Sequence, residues 1–173
     1  MPLTPSQRLA SIDDLLLYRM GRLSSTAGAM VVRLCEGGYG ITRREWAVVA
    51  QLYENGSLPP SVLAERMHRD RARTSRLLTA LIGKQLVWRT VPAHDRRSAL
   101  VTLTPAGQRL YEALMPQIQA INGQILSALQ PAEAANFDHA LAALQDKAQS
   151  LLAELSPELP KANRRQGRHA QAL

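Results

Sequence analysis

Residues 66–97 read RMHRDRARTSRLLTALIGKQLVWRTVPAHDRR, and this stretch decides the fold of the 173-residue chain. It holds nine Arg or Lys residues against two acids, Asp70 and Asp95, so its net charge of +7 equals that of the whole chain. The rest of the chain is therefore neutral overall. Positive charge concentrated in one segment is typical of a surface that docks on a polyanion.

The middle of this stretch has the pattern of an amphipathic helix. Asp70 is a favourable N-cap residue, and the apolar positions after it recur with a helical period, which leaves an outer face rich in arginine. The predicted inner positions are Thr74, Leu77, Leu78, Leu81 and Ile82. Val62 to Met67 suit a short preceding helix, and only two residues separate Met67 from the cap, which is the spacing of a helix-turn-helix.

Two segments with alternating apolar and polar residues follow, at 86–90 and 100–104. Alternation of this kind predicts two half-buried strands, with residues 92–98 as the polar tip of a hairpin. Helix, turn, helix and charged hairpin together predict a winged helix-turn-helix.

Several motifs of this region occur together in the order Leu63-Ala64-Glu65-Arg66-Met67, Thr74-Ser75-Arg76-Leu77-Leu78, Leu86-Val87, Asp95-Arg96-Arg97-Ser98 and Leu103-Thr104-Pro105-Ala106-Gly107. The combination resembles the MarR (multiple antibiotic resistance regulator) family of bacterial transcription factors over about residues 10–155. The family usually has glycine where this chain has Gln85, at the end of the recognition helix. Glycine is favoured there because the position tends to be left-handed, so Gln85 predicts a strained exit from the helix.

The predicted fold class is mainly α with a small β-hairpin wing. One domain is expected over residues 1–155, with a winged helix-turn-helix lobe at 42–104, and residues 156–173 are expected to form a basic, disordered tail. Hydrophobic residues make up 46% of the chain, but no apolar run approaches the length of a membrane span, and a lone cysteine makes no internal disulfide. A soluble, cytoplasmic, nucleoid-associated protein is expected.

Long helices are predicted on both sides of the lobe. The first is expected over residues 5–36, from a capping box at Thr4 to Gln7 up to the glycines at 37–40. Residues 105–155 are expected to form the others, with an interruption at Pro116 and a restart at Pro131. Their apolar faces exceed what one small lobe can cover, which predicts pairing of two copies. The predicted dimerisation residues are Leu9, Ile12, Leu16, Leu144 and Leu151. The alternative is that these helices pack only within one chain.

The predicted DNA contacts lie in the recognition helix and the wing. In the first half of the helix, side chains reach base edges and flanking phosphates in the major groove. The predicted residues there are Arg71, Arg73, Thr74, Ser75 and Arg76, and Arg69, just before the cap, is predicted to contact DNA as well. The resemblance implies that Arg97 enters the minor groove and that Asp95 holds it in place, and Arg96 is predicted to contact phosphate. For an isolated helix, such a charge run is more often a solvated face.

The resemblance also implies a small-molecule effector between the dimerisation helices and the lobe. The candidate residues are Arg19, Tyr39, Trp46 and His68, with Tyr18 and Arg43 as second choices. Together they would suit a small aromatic carboxylate, such as a hydroxylated benzoate or nicotinate. Each has a structural alternative: Trp46 as a core residue, His68 as a phosphate contact or cap, and Arg19 as the partner of an acid.

Other chemistry has little support in the sequence. Cys35 is interpreted as a small buried hydrophobe, because no second cysteine is present to resolve an oxidised one. The four histidines show no metal-ligand spacing with it, and no phosphate-binding loop or nucleophile elbow is present, so no enzyme, metal or cofactor is predicted. The predicted function is a homodimeric, ligand-responsive repressor that binds a pseudo-palindromic operator. A module for non-specific DNA packaging or protein contact is the alternative.

Overall fold

The computed structural model describes residues 10–91 and 99–160. The chain divides into two compact units, at residues 1–125 and 126–173. The described residues form a short 3-10 helix (Ile12–Asp14), α1 (Leu16–Arg33), α2 (Arg43–Asn55), α3 (Pro60–Arg66), α4 (Arg71–Gly83), β1 (Val87–Thr90), β2 (Leu100–Leu103), α5 (Pro105–Leu126) and α6 (Pro131–Leu155). No helix in the described ranges is long and apolar enough to cross a membrane.

The first helix begins later than the sequence predicted. The predicted capping box at residues 4–7 and Leu9 lie outside the described residues, and α1 starts at Leu16. Before it, the Asp14 carboxylate accepts the backbone N–H of Ser11 at 3.0 Å, and Leu15 is extended with ψ 130°. Side-chain bonds of this local kind compete with helix formation, which explains why residues 10–15 do not join α1. Beyond Arg33 the helix continues as a π-helical turn, Leu34–Gly38.

The α2 helix starts with the capping box that the sequence predicted. The Thr42 hydroxyl accepts the Glu45 N–H at 3.1 Å, and the Glu45 carboxylate accepts the Thr42 N–H at 2.6 Å. Ile41 and Trp46, the two positions of a hydrophobic staple, are buried in the same core. The helix therefore enters the lobe at a fixed angle.

The helix-turn-helix is confirmed in α3 and α4. Asp70 caps α4 by accepting the Arg73 N–H at 2.8 Å, and His68 in the turn has a positive φ of 49°. The predicted inner face of α4 is buried at Leu78 and Leu81, whereas Ile82 is exposed. Leu78 and Leu81 share one core with Leu63 of α3 and with Val48, Val49 and Leu52 of α2.

The wing is an antiparallel pair in which Val87 lies opposite Leu103 and Thr90 opposite Leu100. Leu58 bridges to Val101, so the loop before α3 also contacts the sheet. The hairpin tip lies outside the described residues. The hydrophobic core extends to the base of the wing, where Val87, Val101 and Leu103 are buried.

The α5 helix docks directly on the end of α4. The Thr104 hydroxyl donates to the Gln85 carbonyl at 2.8 Å and accepts the Gly107 N–H at 3.0 Å. Gly107 lies so close to the Leu86 carbonyl that a Cβ atom would collide with it. The α5 helix runs without a break through Pro116, where the sequence predicted an interruption. A proline inside a helix removes one backbone hydrogen bond, and fully buried Leu114 anchors the helix beside it.

The α6 helix begins at Pro131, as predicted, and none of its residues is buried. The predicted C-terminal tail is described only as far as Pro160.

Candidate nucleic-acid interface

The first half of α4 presents the arginines that the sequence predicted. Arg71, Ser75 and Arg76 are exposed, and Arg73 is half-buried. Thr74 corrects the prediction, because it is only 1% exposed and its hydroxyl donates to the Asp70 carbonyl at 3.1 Å. Its side chain fixes the first turn of the helix from within, which argues against a DNA contact.

Asp70 holds Arg73 as well as capping the helix. One carboxylate oxygen accepts the Arg73 backbone N–H, and the other lies 3.0 Å from its Nε. Both side chains are partly exposed, so the pair adds little to stability, but it restricts the guanidinium. Since the pair uses Nε, the two terminal nitrogens of Arg73 are not engaged by Asp70.

Arg73 belongs to a basic groove that combines two helices and a turn. A concavity of about 370 Å³ is lined by Arg44, Arg69, Arg73, Arg76 and Leu77. Its described lining contains no acidic residue, so the groove is suited to bind phosphate oxygens. Arg44 was missed in the sequence. It adjoins the cap of α2, and no pattern in the sequence indicated that α2 would meet α4 there.

The wing residues Asp95, Arg96 and Arg97 lie outside the described residues. Their assignments stay predictions.

Trp46 is a core residue, which is the structural alternative that the sequence analysis left open. It is 7% exposed and stacks on Tyr111 with ring centroids 5.4 Å apart, and Tyr111 in turn stacks on Tyr53 at 3.8 Å. Burial raises the pKa of the Tyr111 hydroxyl, and the negative charge of nearby Glu54 raises it further. The stack joins α2 to α5 and keeps Tyr111 neutral.

The other candidate effector residues are spread over several elements. The Tyr39 hydroxyl donates to the Ala113 carbonyl at 3.3 Å and accepts a hydrogen bond from the Gln117 side chain. Tyr18 and Arg19 are exposed on α1, and exposed His68 lies in the turn between α3 and α4. Arg43 and Trp46 line one cavity of about 360 Å³ together, without the other four. This cavity is lined by only two of the six candidates, and their assignment to one effector site stays a prediction.

A second cavity brings Arg43 together with residues that the sequence did not indicate. It measures about 160 Å³, lies between α1, α2 and α5, and is lined by Ser24, Ala27, Gly28, Val31, Arg43, Ile118, Ile121, Asn122 and Ile125. The Arg43 guanidinium packs against Gly28, where any side chain would meet it. The lining is apolar apart from Arg43, Ser24 and Asn122. No local motif could predict it, because about 90 residues separate its two halves in the sequence.

A partly exposed ion pair links the recognition helix to the start of α2. Lys84 Nζ lies 2.9 Å from the carboxylate of Glu45, which is 4% exposed, and 2.9 Å from the Gly40 carbonyl. Burial alone would raise the pKa of Glu45, but the hydrogen bonds from the Thr42 N–H and Lys84 outweigh it, and the pKa is lowered. The carboxylate stays ionised and fixes the C-terminal end of α4.

Cys35 is fully buried in the core, as the sequence predicted. Burial raises the pKa of its thiol, and the charge of Glu36 adds to this effect, so the reactive thiolate is disfavoured. Within the described ranges, no three His, Cys, Asp or Glu side chains are grouped to hold a metal ion.

Comparisons with known proteins agree with this geometry. The model of the MarR family matches residues 41–99. The chain is 32% identical over 111 residues to the HTH-type transcriptional repressor MdtR of Bacillus subtilis (strain 168), covering 64% of this chain and 72% of that protein. It is also 33% identical over 78 residues to the HTH-type transcriptional regulator FarR of Neisseria gonorrhoeae, covering 45% of this chain and only about half, 53%, of that protein.

A solved structure shows the same fold. BpsR of Bordetella bronchiseptica, whose DNA binding is regulated by 6-hydroxynicotinic acid, superposes with a TM-score of 0.70 at 22% identity, over 79% of this chain and 96% of that one. The winged helix-turn-helix, the family match and the similarity to MdtR agree. The chain belongs to the MarR family, whose members are transcriptional regulators and not enzymes.

Proposed function

We propose that this protein is a homodimeric, sequence-specific repressor of transcription that a small anionic aromatic ligand releases from its operator. The observation that carries the proposal is the groove of Arg44, Arg69, Arg73 and Arg76 at the N-terminal half of α4. A recognition helix with this charge at this end is suited to enter the major groove of DNA.

The arginines divide into two roles under this proposal. Arg71 and Arg76 are exposed on α4 and reach base edges, where arginine binds guanine in a two-pronged manner. Arg44 and Arg69 approach from α2 and from the turn, and they bind phosphates beside the half-site. Arg73 lines the groove beside both groups. Its ion pair with Asp70 restricts the position of its guanidinium. In the wing, Arg97 enters the minor groove with the support of Asp95, and Arg96 binds phosphate.

The homodimer is supported by apolar side chains that one chain leaves exposed. Ile12 and Leu16 near the start of α1, and Leu144 and Leu151 on α6, are 38–53% exposed. Leu9 completes the proposed set. A two-fold dimer through these helices would place two recognition helices about 34 Å apart and read a pseudo-palindromic operator.

The proposed effector site is the cavity between α1, α2 and α5. Its volume of about 160 Å³ is below the roughly 300–1,000 Å³ of common ligand pockets, which favours a single-ring molecule. Arg43 would bind the carboxylate, and the Ile and Val side chains would contact the ring. The regulation of BpsR by 6-hydroxynicotinic acid supports the ligand class. Such a ligand releases DNA only by its higher affinity for the protein conformation that does not fit the operator.

The first experiment titrates the protein, at fixed near-physiological salt, against DNA from upstream of its own gene and against a scrambled duplex of equal length. A preference on the order of a thousandfold or more is expected for a specific regulator. Equal affinity for both duplexes would contradict the operator at this locus and favour non-specific packaging.

Two variants then test the arginine groove. Arg44→Gln should weaken binding to both duplexes and lower the slope of log affinity against log salt by about one, because one phosphate contact is lost. Arg33→Gln removes the same charge from α1 and should leave that slope nearly unchanged. Arg73→Ala should instead reduce the preference for the operator. If the preference stays unchanged, Arg73 does not read bases.

A third variant tests the effector cavity. Addition of 6-hydroxynicotinate or 4-hydroxybenzoate should release the unmodified protein from its operator. Arg43→Gln should bind DNA normally but require a higher ligand concentration, on the order of tenfold, because a charge-assisted hydrogen bond is lost. Equal release of the variant would exclude Arg43 as the carboxylate ligand.

A further inference from the structure

The outer face of the wing carries an aromatic side chain that the described residues leave more than half exposed. Strand pairing places Trp88 opposite Thr102 and Thr90 opposite Leu100, and paired residues lie on the same face of a sheet. Trp88 is 56% exposed and Leu100 is also exposed. The opposite face packs into the core through Val87, Val101 and Leu103. The exposed Trp88 is therefore not needed to close the core.

A wide concavity lies along β1 and takes side chains from both faces of the strand, because Trp88 and its neighbour Arg89 both line it. It measures about 760 Å³ and is lined by Ile82, Gln85, Val87, Trp88, Arg89, Thr90, Thr104, Pro105, Ala106 and Arg109. The described lining contains two arginines and no acid. Within residues 10–91 and 99–160, Arg89 and Arg109 form no ion pair. The concavity thus combines exposed apolar side chains, Trp88 and Ile82, with two positive charges.

This concavity lies at the end of α4 away from the basic groove. Nine residues separate Arg73 from Ile82, which corresponds to about 13 Å along a helix. If DNA is read by the first half of α4, as the proposed function holds, the concavity lies beyond the residues that read bases. It would then stay accessible to another molecule while the protein is on its operator.

We infer that this wing-base surface, formed by Ile82 and Trp88 with Arg89 and Arg109, docks an acidic segment of another protein that carries an apolar side chain. Exposed apolar patches with a polar rim mark interaction sites, and Trp and Arg are the residues that most often dominate binding energy. The apolar side chain of the partner packs against Trp88, and its carboxylates bind the two arginines. The absence of acids from the described lining favours an acidic partner over a second copy of the same surface.

The test measures binding of fluorescein-labelled synthetic peptides by anisotropy, using the full chain with and without operator DNA. One peptide contains Asp and Glu with interspersed leucines, and the other has the same charge with serine in place of leucine. The leucine peptide should bind to the protein on its operator. Trp88→Ala, and separately the pair Arg89→Gln and Arg109→Gln, should each weaken it about tenfold or more. Arg33→Gln, which removes a charge from α1, should bind it within about twofold of the unmodified protein.

Other results would overturn this inference. Equal binding of the serine peptide would show attraction of charge alone, and unchanged binding by the Trp88 variant would place the peptide elsewhere. Failure of the leucine peptide to bind, or its displacement by operator DNA, would also exclude the surface. Concentration-dependent association that Trp88→Ala abolishes would identify a second copy as the occupant. Each outcome is separable from failure of the proposed function, because operator preference is measured on the same variants without peptide.

Discussion

The winged-helix lobe and the last helix use apolar residues in different ways. The α2 helix has 13 residues and buries five of them, whereas α6 has 25 residues and buries none. Both helices begin at a favourable cap and both carry apolar side chains at helical spacing. Local sequence signals therefore suffice to form each helix, but only the helix of the lobe finds its packing partners within its own compact unit.

This difference indicates where the free energy of each region comes from. In the lobe, full burial of a side chain such as Leu81 or Val48 contributes about 1.5–3 kcal/mol. In α6 the corresponding side chains, including Phe137, Leu144 and Leu151, keep more than a third of their surface exposed. These side chains are only partly covered within one chain, and a second molecule would complete their burial, which is the role that the proposed homodimer gives them.

The largest predicted effect tests this difference with two leucine-to-alanine variants, one in the lobe and one in α6. Leu81→Ala, at a fully buried site, should lower the free energy of unfolding by about 2–5 kcal/mol at every protein concentration. Leu144→Ala should give a loss that depends on protein concentration, because its packing partner is on another copy. Urea unfolding at several concentrations, combined with sedimentation analysis, measures both. A Leu144→Ala loss that is the same at all concentrations would mean that one chain covers α6 by itself.

The next effect concerns two glycines of the same helix. Gly107→Ala in α5 should cost about 1–3 kcal/mol, because the added Cβ collides with the Leu86 carbonyl and pushes the helix off the end of α4. Gly123→Ala is the matched control, since nothing lies within 4 Å of its Cβ position, and it should stabilise the helix by up to about 1 kcal/mol. Thermal unfolding of both variants checks the difference. Equal effects at the two sites would contradict the close approach.

The sequence predicted those features that depend on neighbouring residues. The Thr42 and Asp70 caps, the turn between α3 and α4, and both strands follow from spacing and residue type, and all are present. Features that depend on distant residues were missed. Arg44 joins the basic groove only because α2 packs beside α4, and Arg43 reaches Gly28 only because α1 crosses α2. The first helix was also mispredicted, because Asp14 binds the backbone of Ser11 instead of continuing the helix.

Thr74 shows the limit of periodicity for assigning function. Its position on α4 fits both the inner face and the DNA-reading half of the helix, and a helical period cannot choose between them. The structure resolves this by burial and by the hydroxyl bond to the Asp70 carbonyl. Among the predicted effector residues, the aromatic stack with Tyr111 likewise assigns Trp46 to the core.

The smallest predicted effect lies at Gln85, which with His68 is one of the two described residues other than glycine that have a positive φ. Gln85 follows α4 in the left-handed region, with φ 57°, and a residue with a Cβ atom is disfavoured there. Gln85→Gly should relieve this strain and, after the greater flexibility of glycine in the unfolded chain is subtracted, stabilise the lobe by about 0.5–1 kcal/mol. Gln119→Gly on the exposed side of α5 should instead destabilise by about the same amount, because glycine is a poor helix former. The hydrogen bond from the Thr104 hydroxyl to the carbonyl of residue 85 is unaffected by either change, so opposite shifts in the unfolding midpoint isolate the left-handed conformation. If both variants lose stability, the Gln85 side chain itself contributes at the base of the wing, and the strain at the end of α4 is smaller than its backbone angle indicates.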